Sequence, residues 1–214
     1  MKTVVFDLDG TLIDSAPGIR AAVNKMLEGQ GLAPLDLATV TSFIGHGLPK
    51  LVARVIGHVG LDVACQDALT AETLALYNAD PVFETVLYPG VEGTLKHLKK
   101  NGFRIGLCTN KPLTATLEII GPMGLDGFLD EIVGGDSLSV KKPDPAPLIE
   151  TFERLGARGP YVGDSEVDAE TAHRADTDFA LFTGGYRKTP INELPHKYAF
   201  SHFDELTQYM EAAL

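Results

Sequence analysis

The apolar positions of this chain follow two different periods. Thr3-Val4-Val5-Phe6 is a short, largely β-branched run that meets Asp7-Leu8-Asp9-Gly10, the pattern of a buried parallel strand ending in a turn. Phe103 to Cys108, Glu131-Ile132-Val133, Tyr161-Val162 and Phe179 to Phe182 predict further strands. Helical stretches near 91–101, 112–121, 145–156 and 166–175 lie between them. Strands alternating with helices predict an α/β fold with a doubly wound, Rossmann-like parallel sheet.

Between about Ser15 and Asp80 the alternation stops. Ile19, Val23, Met26 and Leu27, then Leu48, Leu51, Val52 and Val55, recur at helical spacing with no intervening strand signal, which predicts a helical insert after the first strand. Asp14 or Ser15 is placed to cap its first helix, with Pro17 tolerated in the first turn. Asp80-Pro81 and Pro89-Gly90 mark the return to the sheet. The expected organisation is a catalytic core from residues 1–14 and 82–214, with a helical cap from 15–81 over the strand ends.

Size and charge narrow the function. The 214 residues suffice for one α/β domain with a smaller appendage. Lys+Arg 18 against Asp+Glu 29 gives a net charge of −11, so the general surface repels nucleic acid and anionic lipid. An anionic substrate must therefore be drawn by a local positive site. The N-terminal stretch reaches Asp7 without an apolar run long enough for a signal peptide or membrane span. Cys65 and Cys108 lie far apart with no metal-like spacing, which suits a reducing, cytoplasmic setting.

In an open parallel sheet, the loops at the carboxyl ends of the strands converge on one crevice. Four such loops carry candidate chemistry: Asp7 and Asp9, then Thr109-Asn110, then Lys141-Lys142-Pro143, and last Gly163-Asp164-Ser165 with Asp168. Asp7 and Asp9 are two positions apart, so an extended backbone points both to one side. Gly10 lets the backbone turn and brings the Asp9 carbonyl inward as a further oxygen donor. Adding Asp164 and Asp168 crowds four carboxylates together, which protons or a cation must offset. All-oxygen donors without a suitable His or Cys pair point to Mg²⁺.

Phosphoryl transfer needs positioning and charge neutralisation, for which the Thr109 hydroxyl, nearby amides and the Lys142 ammonium are suited. Ionised Asp7 is the expected nucleophile. Asp9, its pKa raised by neighbouring negative charge, is the expected acid and then base. Each residue also has a plainer reading. Asp-Gly is a common turn dipeptide, Thr109 could cap the helix near Pro112, Lys141-Lys142 could be a solvated pair, and Ser165 to Asp168 fits a capping box.

The strings Asp7-Leu8-Asp9-Gly10-Thr11-Leu12, Leu107-Cys108-Thr109-Asn110-Lys111, Lys142-Pro143-Asp144-Pro145 and Val162-Gly163-Asp164-Ser165-Glu166-Val167-Asp168 resemble the four motifs of the haloacid dehalogenase-like hydrolase superfamily, in that family's order. The helical insert is similar to its small helical cap. The resemblance implies Asp7 as nucleophile, Asp9 as acid/base, and Thr109 and Lys142 holding the phosphoryl group. It also implies magnesium held by Asp7, the Asp9 carbonyl and Asp164, with Asp168 in support. Asn110-Lys111-Pro112 and Phe43-Ile44-Gly45-His46-Gly47 resemble most the phosphoglycolate phosphatase family, implying a small phosphomonoester such as 2-phosphoglycolate.

His46 lies in a Gly-rich turn, with Lys50 and Arg54 spaced four residues apart beyond it. His46 and Arg54 are candidate readers of a substrate carboxylate, beside Asn110; a hinge followed by a solvated helix face is the competing reading. A phosphomutase of the β-phosphoglucomutase type shares fold and motifs and is the nearest rival. A receiver module phosphorylated on Asp is a rival of another class, although its acidic pair precedes a separate acceptor and it has no cap. A halide leaving group would need no acid at Asp9. The oligomeric state is not legible in these patterns.

Overall fold

The first strand forms where the sequence places it, and its alternating residues explain the layers built around it. A computed structural model describes residues 2–212. The chain opens with β1 (Lys2–Phe6) and β2 (Ile13–Asp14), then runs through α1 (Ala16–Gly29), α2 (Leu37–Thr41), α3 (Leu48–Val59) and α4 (Gln66–Asn78). It continues with β3 (Val86–Leu87), α5 (Val91–Lys100), β4 (Phe103–Cys108), α6 (Leu113–Ile120) and β5 (Glu131–Val133). The last part comprises α7 (Ala146–Leu155), β6 (Tyr161–Gly163), α8 (Glu166–Arg174), β7 (Phe179–Phe182), β8 (Tyr198–Phe200) and α9 (Phe203–Ala212).

Among the described residues, six strands form one parallel sheet in the order β5, β4, β1, β6, β7, β8. Val4 lies opposite Ile105 and Phe6 opposite Leu107 on one side, while Phe6 meets Val162 on the other. Successive strands first add on one side of β1 and then on the other. The topological switch therefore falls beside β1, and the crevice at its carboxyl end is where such sheets bind ligands.

The period of two sorts each strand between two cores. Val4, Phe6, Ile105, Leu107, Val162, Ala180 and Phe182 face a core closed by Leu95, Leu98, Phe203, Leu206 and Met210 of α5 and α9. Val5, Cys108, Tyr161, Phe179 and Leu181 face the opposite core with Leu148, Phe152 and Ala172 of α7 and α8. Gly106 belongs to this second face: a Cβ there would lie 2.7 Å from Thr151 and 2.8 Å from Leu155, so its missing side chain lets α7 approach.

The four helices α1 to α4 build a third core from their own residues, including Val23, Met26, Leu27, Val52, Val55 and Tyr77. They connect to the sheet through β2 and β3, which pair antiparallel, Ile13 opposite Leu87 and Asp14 opposite Val86. These two-residue strands have no sequence signature and were not expected. Nor were β8 and α9, although Phe203, Leu206 and Met210, buried at helical spacing, carry the signal for α9. The remaining predicted strands and helices lie within two residues of their observed bounds. Among the described residues, no helix is long and apolar enough to cross a membrane.

Candidate active site

β1 ends at Asp7, whose amide donates to the Val162 carbonyl at 2.9 Å, so the sheet itself fixes where this carboxylate points. A tight turn follows in which the amides of Leu12 and Ile13 both donate to the Leu8 carbonyl, at 2.9 and 3.1 Å. Gly10 makes that turn with φ +90°, and a Cβ there would lie 2.6 Å from Asp164 Oδ2. A side chain is excluded twice, by the backbone angle and by the neighbour.

β4 delivers Thr109 and Asn110, and the loop before α7 delivers Lys142. The Lys142 ammonium lies 2.9 Å from Asp7 Oδ1, 2.7 Å from Asp168 Oδ1 and 2.7 Å from the Tyr161 hydroxyl. Burial disfavours its charge, but Asp168 and then Asp7 outweigh that and hold it charged well above the ordinary lysine range. This disposes of the solvated-pair reading of Lys142, which is 3% exposed. Thr109 is buried too, and its hydroxyl accepts the Lys111 amide at 3.2 Å. It does not cap α6, whose N-cap is Pro112.

β6 leads directly into α8, and its turn supplies the other acids. Asp164 is buried, accepting from the Thr11 hydroxyl at 2.8 Å and the Tyr186 amide at 2.6 Å. Asp168 completes a capping box with Ser165, whose hydroxyl donates to Asp168 Oδ2 at 2.6 Å. The other oxygen of Asp168 receives Lys142 and the Tyr161 hydroxyl, at 2.7 and 2.8 Å. Both oxygens are thus occupied by the protein, which fits Asp168 for holding its neighbours in place.

Asp7, Asp164 and Asp168 each offer an oxygen within 4.8 Å of the others, all buried. Burial pushes the Asp7 carboxyl up to about 7, with Lys142 opposing the rise and Asp168 adding to it. Burial, then Asp168 and Asp7, drives Asp164 well above the usual carboxylate range. In Asp168 burial is outweighed by Lys142 and by the Ser165 and Tyr161 hydroxyls, so it stays low. Two buried carboxyls that resist ionisation, in an all-oxygen set, form a site suited to a hard divalent cation.

Asp9 is arranged differently from the expectation of a carboxyl among like charges. Its side chain accepts from Ser15 at 2.6 Å and from the Lys111 ammonium at 3.1 and 3.3 Å. Lys111 also contacts the Tyr77 hydroxyl of α4 at 3.0 Å and sits 4.5 Å above that ring. Lys111, Tyr77, Thr11, Ser15, Tyr161 and Tyr186 were not singled out as site residues from sequence. They come from five separate stretches; Thr11 and Lys111 lie inside the motif strings and Ser15 beside the first cap helix, while no local pattern marks Tyr77, Tyr161 or Tyr186.

The loop before α3 lies across this crevice: Asn110 donates to the Gly45 carbonyl at 3.2 Å and to the Lys142 carbonyl at 3.0 Å. Lys188, from the loop after β7, donates to the Ile44 carbonyl at 3.3 Å. The cavity in this crevice, about 100 Å³, is lined by Asp7, Asp9, Thr109, Asn110, Lys142 and His46, among others. Arg54 is not in its wall. Its guanidinium donates to the Phe43 carbonyl at 2.9 Å and lies 3.5 Å from His46 Nδ1. Of the expected pair, His46 reaches the cavity itself, while the Arg54 fork stands behind it and engages the backbone of its own helical block.

A model of the haloacid dehalogenase-like hydrolase family matches residues 1–176. A phosphoglycolate phosphatase of Cereibacter sphaeroides is 52% identical over the whole of both chains. One from Rhodobacter capsulatus is 41% identical over 97% of this chain and 96% of its own. A crystal structure of a predicted phosphoglycolate phosphatase from Haemophilus somnus superposes with a TM-score of 0.92 at 29% identity, covering 98% of this chain and 97% of that one. With sheet order, turn and acidic cluster in agreement, the chain belongs to the haloacid dehalogenase-like hydrolase family, and its enzyme class is that of a phosphatase.

Proposed function

We propose that this phosphatase is magnesium-dependent, acts through a phospho-Asp7 intermediate, and takes a small anionic phosphomonoester, with 2-phosphoglycolate as its substrate. The observation that carries the chemistry is the buried cluster in which Lys142 bridges Asp7 and Asp168 while Asp164 stands within 4.8 Å. The choice of substrate draws support from the phosphoglycolate phosphatases that match the chain end to end.

Asp7 and Asp164, with the Asp9 backbone carbonyl, are the groups to hold the cation, and Asp168 supports them from behind. The cation, when bound, offsets the clustered carboxylates and the charge on the phosphoryl oxygens. Lys142 and the Thr109 hydroxyl hold those oxygens from the other side. A carboxylate oxygen of Asp7 attacks phosphorus, forming the Asp7–phosphorus bond as the ester bond breaks, and the Asp9 carboxyl gives its proton to the departing alkoxide. Water then attacks the phospho-Asp7, Asp9 takes the proton, and inorganic phosphate leaves with Asp7 restored.

Residues 15–81 act in this reading as a cap. The contacts of Gly45 with Asn110 and of Tyr77 with Lys111 hold it over the crevice. Water is then excluded while the acyl phosphate forms. The protein works on a small metabolite in the cytoplasm, not on nucleic acid or a membrane.

The test is phosphate release from a panel of phosphomonoesters including 2-phosphoglycolate, with and without Mg²⁺ and a hexose bisphosphate. Wild type is expected to release phosphate stoichiometrically, only with Mg²⁺ and without the bisphosphate, which separates hydrolysis from the mutase reaction. Asp7→Asn and Asp9→Asn should each lower turnover at least 10³-fold. Full activity of Asp7→Asn sinks the mechanism.

A further inference from the structure

Lys111 takes no part in the reaction as just described, yet its ammonium is buried in the cavity wall. We infer that Lys111 recognises a carboxylate on the leaving group, beside the scissile ester, and so sets the substrate preference of the enzyme. The inference deepens the proposed function and rests on it.

Position is the first argument. Lys111 Nζ lies 3.1 Å from Asp9, the residue assigned to the ester oxygen, so the cation stands where the leaving group must lie. In 2-phosphoglycolate one methylene separates that oxygen from the carboxyl carbon, which matches the step from Asp9 to Lys111.

The second argument is the rest of the wall. On the side of the helical block it is mostly apolar, with Ile19, Ala22, Ile44, Leu51 and Leu74 beside the polar His46, Thr73 and Tyr77. A carboxylate cannot be left in such surroundings without a charged partner. Among the lining cations, Lys142 is engaged by Asp7, Asp168 and Tyr161, and Lys188 reaches the Ile44 carbonyl, whereas Lys111 is the one in contact with Asp9. An ammonium has three donors. Among the described residues, Lys111 directs its own toward two groups, the Asp9 carboxylate and the Tyr77 hydroxyl. The Tyr77 ring beneath it holds the cation in place from the helical side.

The experiment compares kcat/KM for 2-phosphoglycolate with that for its primary amide, which nearly keeps the size and removes the charge. Wild type should prefer the acid by about 10- to 100-fold, the worth of one hydrogen bond to a charged group. Lys111→Met should bring that ratio close to one, with the change in KM for the acid. Both absolute rates will fall, because Asp9 loses a partner, so the ratio is the readout. Lys111→Gln, which keeps donors toward Asp9 and Tyr77 without the charge, serves if the methionine variant does not fold, and should also lose the ratio; Lys111→Arg should retain most of it. An undiminished preference in the uncharged variants overturns the inference. A wild type that hydrolyses both substrates equally well overturns the inference together with the assignment of phosphoglycolate, while leaving the phosphatase chemistry standing.

Discussion

Asp7 and Asp164 are at odds with their surroundings until a cation arrives, and this has a measurable consequence. The folded chain keeps a proton on Asp7 up to about pH 7, whereas an unperturbed Asp titrates near 3.8. The contribution of Asp7 to stability is therefore full below about pH 4 and is lost as pH rises toward 7. Asp164, raised by the same burial, adds in the same direction. Mg²⁺ should thus raise the melting temperature more at pH 7.5 than at pH 5, where protons already neutralise both groups. Asp7→Asn should melt higher than wild type in metal-free buffer at pH 7.5 and show a smaller pH dependence. Thermal melts with and without chelator check both points; an equal Mg²⁺ shift at the two pH values contradicts them.

At the scale of elements, short turns place the chemistry more than helices or strands do. The turn from β1 to β2 carries Asp7, Asp9 and Thr11 within five residues, and Gly10 makes it possible by adopting φ +90° against Asp164. Gly10→Ala would set a methyl group against the Asp164 carboxylate on a backbone angle unfavourable to alanine. It should cost about 1–3 kcal/mol in urea unfolding, and it should weaken the Mg²⁺ dependence of turnover because Asp164 must move. A variant with wild-type stability and unchanged Mg²⁺ response would show that the turn relaxes freely. The α8 terminus works by the same economy: the capping box that starts the helix also aims Asp168 at Lys142, so the structural and supporting readings of Asp168 coexist.

Across the whole molecule, the sheet and the helical block are joined, among the described residues, by few contacts besides β2 and β3. Tyr186, from the loop after β7, is central to them. Its hydroxyl accepts from the amides of Ser15 and Ala16 at 2.8 and 3.0 Å and donates to Asp14 at 2.8 Å, while its own amide binds Asp164. Tyr186→Phe removes the partner of two helix-entry amides, and should cost about 1–3 kcal/mol. Because these bonds hold the start of α1, which contributes Ile19 and Ala22 to the cavity wall, the variant's KM for phosphomonoesters should rise more than its kcat falls. Wild-type stability and KM in this variant would show the junction to be held by β2 and β3 alone. The net charge of −11 makes the buried lysines matter more, since only a local cation offers an anion a favourable end point.

Much of this was legible along the chain. Residues whose local pattern and chemistry coincide announce themselves: the β-branched run into Asp7, the helical spacing from Ile19 to Leu27, and the Ser165 to Asp168 box need only neighbours in sequence to be read. Asp7, Asp9, Thr109, Asn110, Asp164 and Asp168 follow because they end predicted strands or open predicted helices, and the sheet brings such ends together; Lys142, in a loop, follows only from the resemblance carried by Lys142-Pro143. Lys111 and Tyr77, Tyr186 and Asp14, or Tyr161 beside Lys142 have no such marker. Burial, in a fold whose partners lie far apart in sequence, turns an ordinary lysine or tyrosine into part of a site. The sequence by itself determined five of the six strands of the parallel sheet, the helices between them and the acids at their ends, because periodicity and turn chemistry are local. Tertiary structure alone decided which cation faces which acid, turning Arg54 away and Lys111 inward, because that outcome depends on which surfaces exclude water together.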